Sequence, residues 1–169
     1  MKLNWSYKKF EEISGKEMHE ILTVRQSVFI VEQNCVYQDA DELDIRSWHL
    51  LGRTIEGNIA AYGRVNFPGS RYREPSLGRI LTIKDVRGYG AGREVVQRCL
   101  ELCKRHYPEL NVRISAQTYL FNFYRDFGFQ EVGEPYDDEG IEHIDMVMNV
   151  IHGTGYGNTL RPNLCEGTV

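Results

Sequence analysis

A run of glycines between a predicted strand and a predicted helix constrains this chain more than any other segment. Arg87-Gly88-Tyr89-Gly90-Ala91-Gly92 follows an apolar strand and precedes a helical pattern that Pro108 ends. Glycines allow successive backbone N–H groups to turn toward one point, and the helix start behind them adds about half a positive charge. This arrangement predicts an anion cradle suited to a phosphate or pyrophosphate. A tight turn without a ligand is the simpler alternative.

Two common phosphate-binding loops do not match this run. The order G-x-G-x-G differs from the dinucleotide-binding order G-x-G-x-x-G, and no acidic residue ends a following strand at the expected distance. A P-loop is excluded because Gly-Lys is nowhere followed by Ser or Thr. The anion therefore has to be identified from other parts of the chain.

Composition narrows the class of protein. A length of 169 residues corresponds to about one domain, and 41% hydrophobic residues are typical of a globular protein. Lys and Arg number 20 against 24 Asp and Glu, and the net charge of −4 argues against nucleic-acid or anionic-membrane binding. The apolar runs are too short for a membrane helix, and no signal stretch follows Met1. We expect a cytoplasmic protein with no nucleic-acid or membrane partner.

The four cysteines indicate no metal site. Cys35, Cys99, Cys103 and Cys165 include no C-x-x-C pair, and no second pair completes a zinc site with His106. Cys99 and Cys103 are four residues apart on one apolar helical face, which predicts buried core thiols.

The order of the predicted elements indicates an α/β fold with a mixed sheet. A capping box at Ser14 and Glu17 begins a helix that extends to about Val31. Further helices are predicted at 92–106 and 119–127, and strands at 3–8, 48–53, 58–65, 77–83, 111–116, 129–134 and 143–150. Early antiparallel strands followed by β-α-β-α-β-β predict a layered structure. We expect one domain over residues 1–150 and a glycine-rich tail over 151–169.

Two motifs resemble those of the GNAT N-acetyltransferase superfamily. The run R-G-Y-G-A-G after Arg79-Ile80-Leu81-Thr82 resembles that superfamily's acetyl-CoA loop, R-x-x-G-x-G/A. The segment from Ala116-Gln117 to F-Y-R-D-F-G-F at 123–129 resembles its second motif. Looser pieces between Ile21 and Met148 resemble the ElaA-like branch. They are Arg25-Gln26-Ser27-Val28-Phe29, Val31-Glu32-Gln33, His49-Leu50-Leu51-Gly52, Gly78-Arg79 and the segment from Tyr136 to Met146.

This resemblance implies an acyl-CoA N-acyltransferase fold, with a mostly antiparallel central sheet and helices on both faces. It also implies acetyl-CoA as co-substrate, with the pantetheine arm along one strand and the pyrophosphate in the glycine run. Gln117 stands where the family has Asn, and Leu120 where it has a small residue. The cofactor-binding residues so implied are Ile80, Leu81, Thr82, Arg87, Gly88, Tyr89, Gly90, Ala91, Gly92, Arg93, Gln117 and Phe123.

The resemblance also assigns two catalytic roles. Tyr124 occupies the position of the tyrosine that protonates the leaving thiolate, which a phenol can do in a dry site. The alternative is that Tyr124 is only a core residue. His143 is the candidate general base, since an alkylamine arrives protonated and a histidine accepts protons near neutral pH. Glu32 and His49 are the alternatives for the base.

The expected activity is transfer of the acetyl group of acetyl-CoA to a primary amine by direct attack in a ternary complex. No Cys or Ser lies with a His/Asp set that would indicate a covalent acyl-enzyme. A CoA-binding module without turnover and a different acyl-CoA donor remain alternatives. The acidic groups at 39–44 and 137–139 suit recruitment of a cationic amine, or are solvated loops. The sequence leaves open the acceptor, a small molecule or a protein, and whether the chain forms a homodimer.

Overall fold

A computed structural model describes residues 2–138 and 140–150 of the chain. The predicted glycine-rich tail and Cys165 lie outside the described residues. None of the helices in the described part combines the length and apolar character needed to span a membrane.

Seven strands form one mixed sheet in the order β1-β2-β3-β4-β5-β7-β6. Only β4 and β5 run parallel, and the other five neighbouring pairs are antiparallel. The mostly antiparallel mixed sheet is therefore confirmed. The strands are β1 Asn4–Lys9, β2 Ser47–Arg53, β3 Ile59–Asn66, β4 Ser76–Thr82, β5 Val112–Gln117, β6 Gln130–Asp138 and β7 Ile141–Met148.

The three helices differ in regularity. α1 spans Gly15–Gln26, where the Ser14 hydroxyl accepts the Glu17 N–H at 3.2 Å, and continues as a π-helix over Ser27–Glu32. α2 spans Ala91–His106, and α3 is a short helix over Phe121–Arg125. The predicted helix at 119–127 is thus shorter than expected. A 3-10 turn precedes it, and Gly128, with φ +92°, follows it in a conformation that favours glycine.

Helices cover both faces of the sheet, as expected. On one face α2 packs closely against β3, where a Cβ added at Gly63 would lie 2.9 Å from both Cys99 Sγ and Val95 Cγ1. On the other face Ile21 of α1 joins an apolar cluster with Leu51 and Tyr62. Cys99 and Cys103 are buried, and burial raises the pKa of the Cys103 thiol to about 12. These two cysteines are core thiols, as predicted.

The parallel strands β4 and β5 diverge after two residues of pairing. Ser76 lies opposite Arg113 and Leu77 opposite Ile114, and no later pair is formed between them. A bulge in β4 accompanies the divergence: Arg79 has φ +51°, a left-handed conformation that is uncommon outside glycine. The divergence leaves the β5-facing edge of β4 open from Gly78 onward.

Candidate active site

The open edge of β4 leads toward the glycine cradle. Leu81 and Thr82 pair with β3 on one side only, and Ile80 lies in the bulge between paired residues, so the other edge of this segment faces the gap between β4 and β5. An extended chain with amide groups fits such an edge, because it can complete the hydrogen bonds of the missing strand. The residues predicted to contact the pantetheine arm therefore have the backbone exposure that this role requires.

The glycine run turns into α2 through two left-handed residues. Gly88 has φ +80° and Gly90, which precedes the first residue of α2, has φ +83°. A Cβ added at Gly88, Gly90 or Gly92 would meet no atom within 4 Å. The space over these backbone groups is open, and it adjoins a helix N-terminus. This geometry suits an anion, and Tyr89 beside it is largely exposed.

The side chain of Arg87 is already occupied within the protein. Its guanidinium donates to the Glu32 carboxylate at 2.5 and 3.1 Å and to the Thr82 carbonyl oxygen at 2.7 and 3.0 Å. The hydrogen bond from Arg87 lowers the pKa of Glu32, so Glu32 is a weaker proton acceptor than an unpaired carboxylate. The Arg87–Glu32 pair ties the end of the π-helix to the loop before the cradle.

Arg93 and Phe123 lie on neighbouring helices beside the cradle. The Arg93 guanidinium lies 5.7 Å from the Phe123 ring centroid and pairs with the exposed Asp126 at 3.0 Å. Phe123 in turn meets Tyr124 edge-to-face, with the ring centroids 5.1 Å apart. Neither Arg93 nor Phe123 lines the cavity described below.

A cavity of about 380 Å³ lies at the divergence of β4 and β5, with four of the predicted site residues in its wall. Gln117 ends β5 directly opposite His143 of β7, which places these two side chains on one face of the sheet. The predicted residues that line the cavity are Ile80, Gln117, Tyr124 and His143, and Leu120 lines it too.

Tyr124 is 7% exposed, and its ring packs edge-to-face against Phe129. Burial raises the pKa of Tyr124 well above that of an ordinary phenol. The hydroxyl is therefore protonated at neutral pH and available to donate to a negative charge that forms inside the cavity. Tyr124 belongs both to the core and to the cavity wall, so the two alternatives for it are compatible.

One hydrogen bond sets the tautomer of His143. Nδ1 lies 2.8 Å from the Ile141 carbonyl oxygen, which can only accept, so Nδ1 is the donor. The neutral ring then has its lone pair on Nε2, the nitrogen required of a proton acceptor. The ring of Tyr136 stacks on the imidazole, with centroids 6.3 Å apart and planes at 26°.

His49, the other histidine candidate, is fully buried and lies outside the cavity wall. Its ring nitrogens are bound to the Tyr62 hydroxyl and the Asp44 carbonyl oxygen, both at 2.8 Å. Of the three candidate bases, His143 alone combines an available ring nitrogen with a place in the cavity wall.

Most of the acidic side chains at 39–44 are paired within the protein rather than solvated, and Glu42 is the exposed one. Asp39 and Asp44 are buried and bind Arg25, at 2.8 and 2.5 Å. Asp44 also binds Arg64 at 2.6 Å. Burial by itself would raise the pKa of Asp44, but the bonds from the two arginines lower it below the ordinary value. Asp41 binds Arg64 and Asp39 binds Arg79, which completes a cluster of three aspartates and three arginines (the Arg25 cluster).

A polar wall on β5, β6 and β7 was missed by the sequence reasoning. Asp145 accepts from Tyr136 at 3.0 Å, from Tyr72 at 3.3 Å and from Arg113 at 3.1 Å. Ser115 joins the wall through the Tyr136 hydroxyl at 2.5 Å. The signal was present in the alternation of β5, where Arg113, Ser115 and Gln117 interrupt the buried residues. Within residues 2–138 and 140–150, no three His, Cys, Asp or Glu side chains are grouped to hold a metal ion.

The fold is that of the acyl-CoA N-acyltransferases. The chain belongs to the GNAT acetyltransferase family, since the sequence model of the family Acetyltransferase (GNAT) domain matches residues 19–150. The fold of this family binds acyl-CoA, and the open edge of β4 and the free space over the cradle fit such a molecule.

Several proteins are similar to this chain over most of its length. The chain is 56% identical over 150 residues to the UPF0039 protein sll0451 of Synechocystis, covering 89% of this chain and 97% of that protein. It is 35% identical over 151 residues to protein ElaA of Escherichia coli, covering 88% and 98%. The crystal structure of E. coli ElaA matches with a TM-score of 0.81 and 34% identity over 87% and 99% of the two chains. An acyl-CoA N-acyltransferase from Pseudomonas aeruginosa matches with a TM-score of 0.83 and 33% identity over 87% and 99%. The ElaA-like resemblance is therefore confirmed.

Proposed function

We propose that this protein transfers the acetyl group of acetyl-CoA to a primary amine by direct attack in a ternary complex. The proposal rests on one observation: the open edge of β4 joins the glycine cradle to a cavity whose wall contains both Tyr124 and His143. A thioester whose pyrophosphate lies in the cradle and whose pantetheine arm follows this edge would reach that cavity.

Each residue then has one task. The backbone of Ile80, Leu81 and Thr82 holds the pantetheine arm, and the N–H groups of the glycine run with the N-terminus of α2 hold the pyrophosphate. A backbone N–H of β4 stabilises the negative charge that develops on the carbonyl oxygen. Gln117 and Phe123 border the arm, and Arg93 contributes positive charge beside the phosphates.

Proton movement follows from the two side chains in the cavity wall. His143 Nε2 accepts a proton from the ammonium group, so that the nitrogen lone pair can form the new C–N bond. As the C–S bond breaks, the Tyr124 hydroxyl gives its proton to the departing sulfur, and the second proton that the nitrogen loses on becoming an amide restores that hydroxyl. The raised pKa of Tyr124 keeps the hydroxyl protonated until the thiolate forms.

Calorimetry with acetyl-CoA, CoA and NADH tests the cofactor, and acetyl transfer to a panel of primary amines tests the reaction. We expect the CoA species to bind and NADH not to bind. Tyr124→Phe should lower kcat about 100-fold, the usual contribution of a general acid, and leave acetyl-CoA affinity unchanged. Tyr7→Phe removes a hydroxyl from the distant strand β1 and should leave kcat unchanged.

Four results would contradict the proposal in different ways. An unchanged kcat in Tyr124→Phe removes Tyr124 as the acid. Binding of CoA without transfer to any amine assigns a CoA-binding module, and transfer only from bulkier thioesters assigns a different acyl donor. No binding of either CoA species makes the glycine run a turn.

A further inference from the structure

Two charged side chains of the cavity wall are left without an ion pair. The Arg25 cluster balances three arginines with three aspartates, which accounts for Asp41, Arg64 and Arg79 in the wall. Arg71 and Asp138 also line the cavity, and neither forms an ion pair with any residue that the structure describes. The cavity therefore offers one positive and one negative group to a ligand.

Arg71 is held over an aromatic platform. Its guanidinium carbon lies 5.3 Å from the Tyr72 ring centroid, and that of Arg113 lies 5.1 Å from the same ring. The Tyr72 hydroxyl donates to Asp145 at 3.3 Å, and Asp145 binds Arg113 at 3.1 Å. These contacts fix the ring, and a fixed ring limits the freedom of the guanidinium above it. Arg71 is exposed, and its guanidinium can bind a carboxylate through two hydrogen bonds.

The platform and the proposed base belong to one wall. Asp145 lies two residues after His143 on the same face of β7, about 7 Å along the strand. Tyr136 bridges the two, since its hydroxyl donates to Asp145 at 3.0 Å and its ring stacks on His143. A single small molecule can therefore lie between the imidazole and the Arg71 guanidinium.

Arg71 is remote from the phosphates of the thioester. It precedes the first residue of β4, whereas the glycine cradle follows the last, and the seven residues of β4 span roughly 20 Å. Tyr72 also contacts the first half of β5 through Arg113, at the end of the sheet opposite the cradle. The free positive charge therefore faces the acceptor half of the cavity.

From this charge arrangement we infer that the acceptor is a small amino carboxylate, with Arg71 binding its carboxylate and Asp138 attracting its ammonium group. The amine then lies before His143 Nε2 and Tyr124. This inference rests on the proposed function and adds the substrate class. A polyamine fits less well, because it would place a second positive charge beside Arg71.

The test compares acceptors that differ only in the carboxylate. The probes are the twenty α-amino acids and a chain-length series of glycine, β-alanine, 4-aminobutanoate and 6-aminohexanoate, each beside its carboxamide, with spermidine as the polyamine. Transfer from acetyl-CoA gives KM and kcat. Calorimetry of the same probes on the CoA-saturated protein gives affinity without turnover. The proteins are the wild type, Arg71→Ala, Arg71→Lys and, as matched control, Arg73→Ala, which removes an exposed arginine two residues away that does not line the cavity.

We expect at least one amino carboxylate to be preferred over its carboxamide by the wild type. Arg71→Ala should raise KM and Kd for that acceptor about tenfold to a hundredfold, the range of a hydrogen-bonded charge pair, with kcat much less affected. KM and Kd for the carboxamide should not change in Arg71→Ala. Arg71→Lys should retain part of the preference for the carboxylate, and Arg73→Ala should match the wild type.

The outcomes separate this inference from the proposed function. Transfer to carboxamides or spermidine that does not depend on Arg71 overturns the inference and supports the proposed acetyltransferase function. Arg71-dependent binding of an amino carboxylate without transfer supports the ligand class and overturns the proposed function. Equal losses for carboxylates and carboxamides in Arg71→Ala, or no binding and no transfer of any amino carboxylate, overturn the inference.

Discussion

His49 lies in the interior of the sheet, and its two ring nitrogens have different partners. The Asp44 carbonyl oxygen can only accept, so Nε2 carries the hydrogen and Nδ1 accepts from the Tyr62 hydroxyl. Burial lowers the pKa of His49, and the positive charges of Arg64 and Arg25 lower it further. His49 is therefore a neutral structural histidine, in contrast to His143 at the cavity wall.

This burial predicts a loss of stability in mild acid. The folded-state pKa of His49 lies below the unfolded value near ~6.5, so the unfolded chain binds the proton first. The contribution of neutral His49 to the free energy of unfolding is complete above pH ~6.5. It decreases at lower pH, by at most about 1.4 kcal/mol per pH unit. Urea unfolding at pH 7.5 and 5.5 should show a smaller difference for His49→Gln than for the wild type. His106→Gln, which changes an exposed histidine, should keep the wild-type difference. Identical pH dependence in all three proteins would contradict this account.

At the scale of elements, the junction of β4 and α2 combines two backbone features that serve one site. The strand has an unpaired edge, and the loop after it has left-handed glycines whose Cβ positions are open. The same left-handed conformation occurs at Gly57 in the hairpin between β2 and β3, where φ is +91°. Gly57 thus has the same left-handed backbone conformation as Gly90, but it does not lie at a helix N-terminus.

The pair Gly90→Val and Gly57→Val separates backbone strain from loss of the cradle. Both variants should lose about 1–3 kcal/mol of unfolding free energy, because valine is strained at these φ values. Only Gly90→Val should weaken CoA binding, by more than tenfold, because its side chain fills the open space over the cradle. Thermal unfolding and calorimetry with CoA measure the two effects. Normal CoA affinity in Gly90→Val would place the phosphates elsewhere.

At the scale of the whole molecule, the Arg25 cluster joins elements that are distant in sequence. It links α1 through Arg25, the connection after the π-helix through the aspartates, and the strands β3 and β4 through Arg64 and Arg79. Arg79 is the bulge residue of β4, so the cluster also anchors the strand at the point where it leaves β5. The connection over 33–46 is thereby held against the cavity.

Removal of one arginine should destabilise the whole fold. Arg25→Met leaves buried aspartates without their partner, and we expect a loss of about 3–5 kcal/mol in unfolding free energy. Glu94→Gln, which breaks the exposed Arg98–Glu94 pair within α2, should cost less than about 1 kcal/mol. Chemical denaturation of both variants at neutral pH measures the difference. Equal and small losses would mean that the cluster contributes no more than a surface pair.

The sequence alone determined the local conformations and their order. Glycines at 88 and 90 allow a left-handed turn, Ser14 caps α1, and the alternation and spacing of apolar residues indicate seven strands and the helices. The four predicted site residues in the cavity wall were assigned from the resemblance to the GNAT family, and local conformation by itself does not bring them together.

Only the tertiary structure decided how charges and strand edges are matched. Asp39 and Arg79 are 40 residues apart, and Arg113 and Asp145 are 32 apart, so no local pattern indicates that they pair. The ion pairs of the acidic segment could not be predicted for this reason. Arg71 and Asp138 could be recognised as unpaired only after the other ion pairs were known. The divergence of β4 from β5 is likewise a relation between strands that are distant in sequence. Their pairing ends after Leu77 and Ile114. Short-range sterics fix the elements, whereas the electrostatics of the site depend on which distant residues the fold brings together.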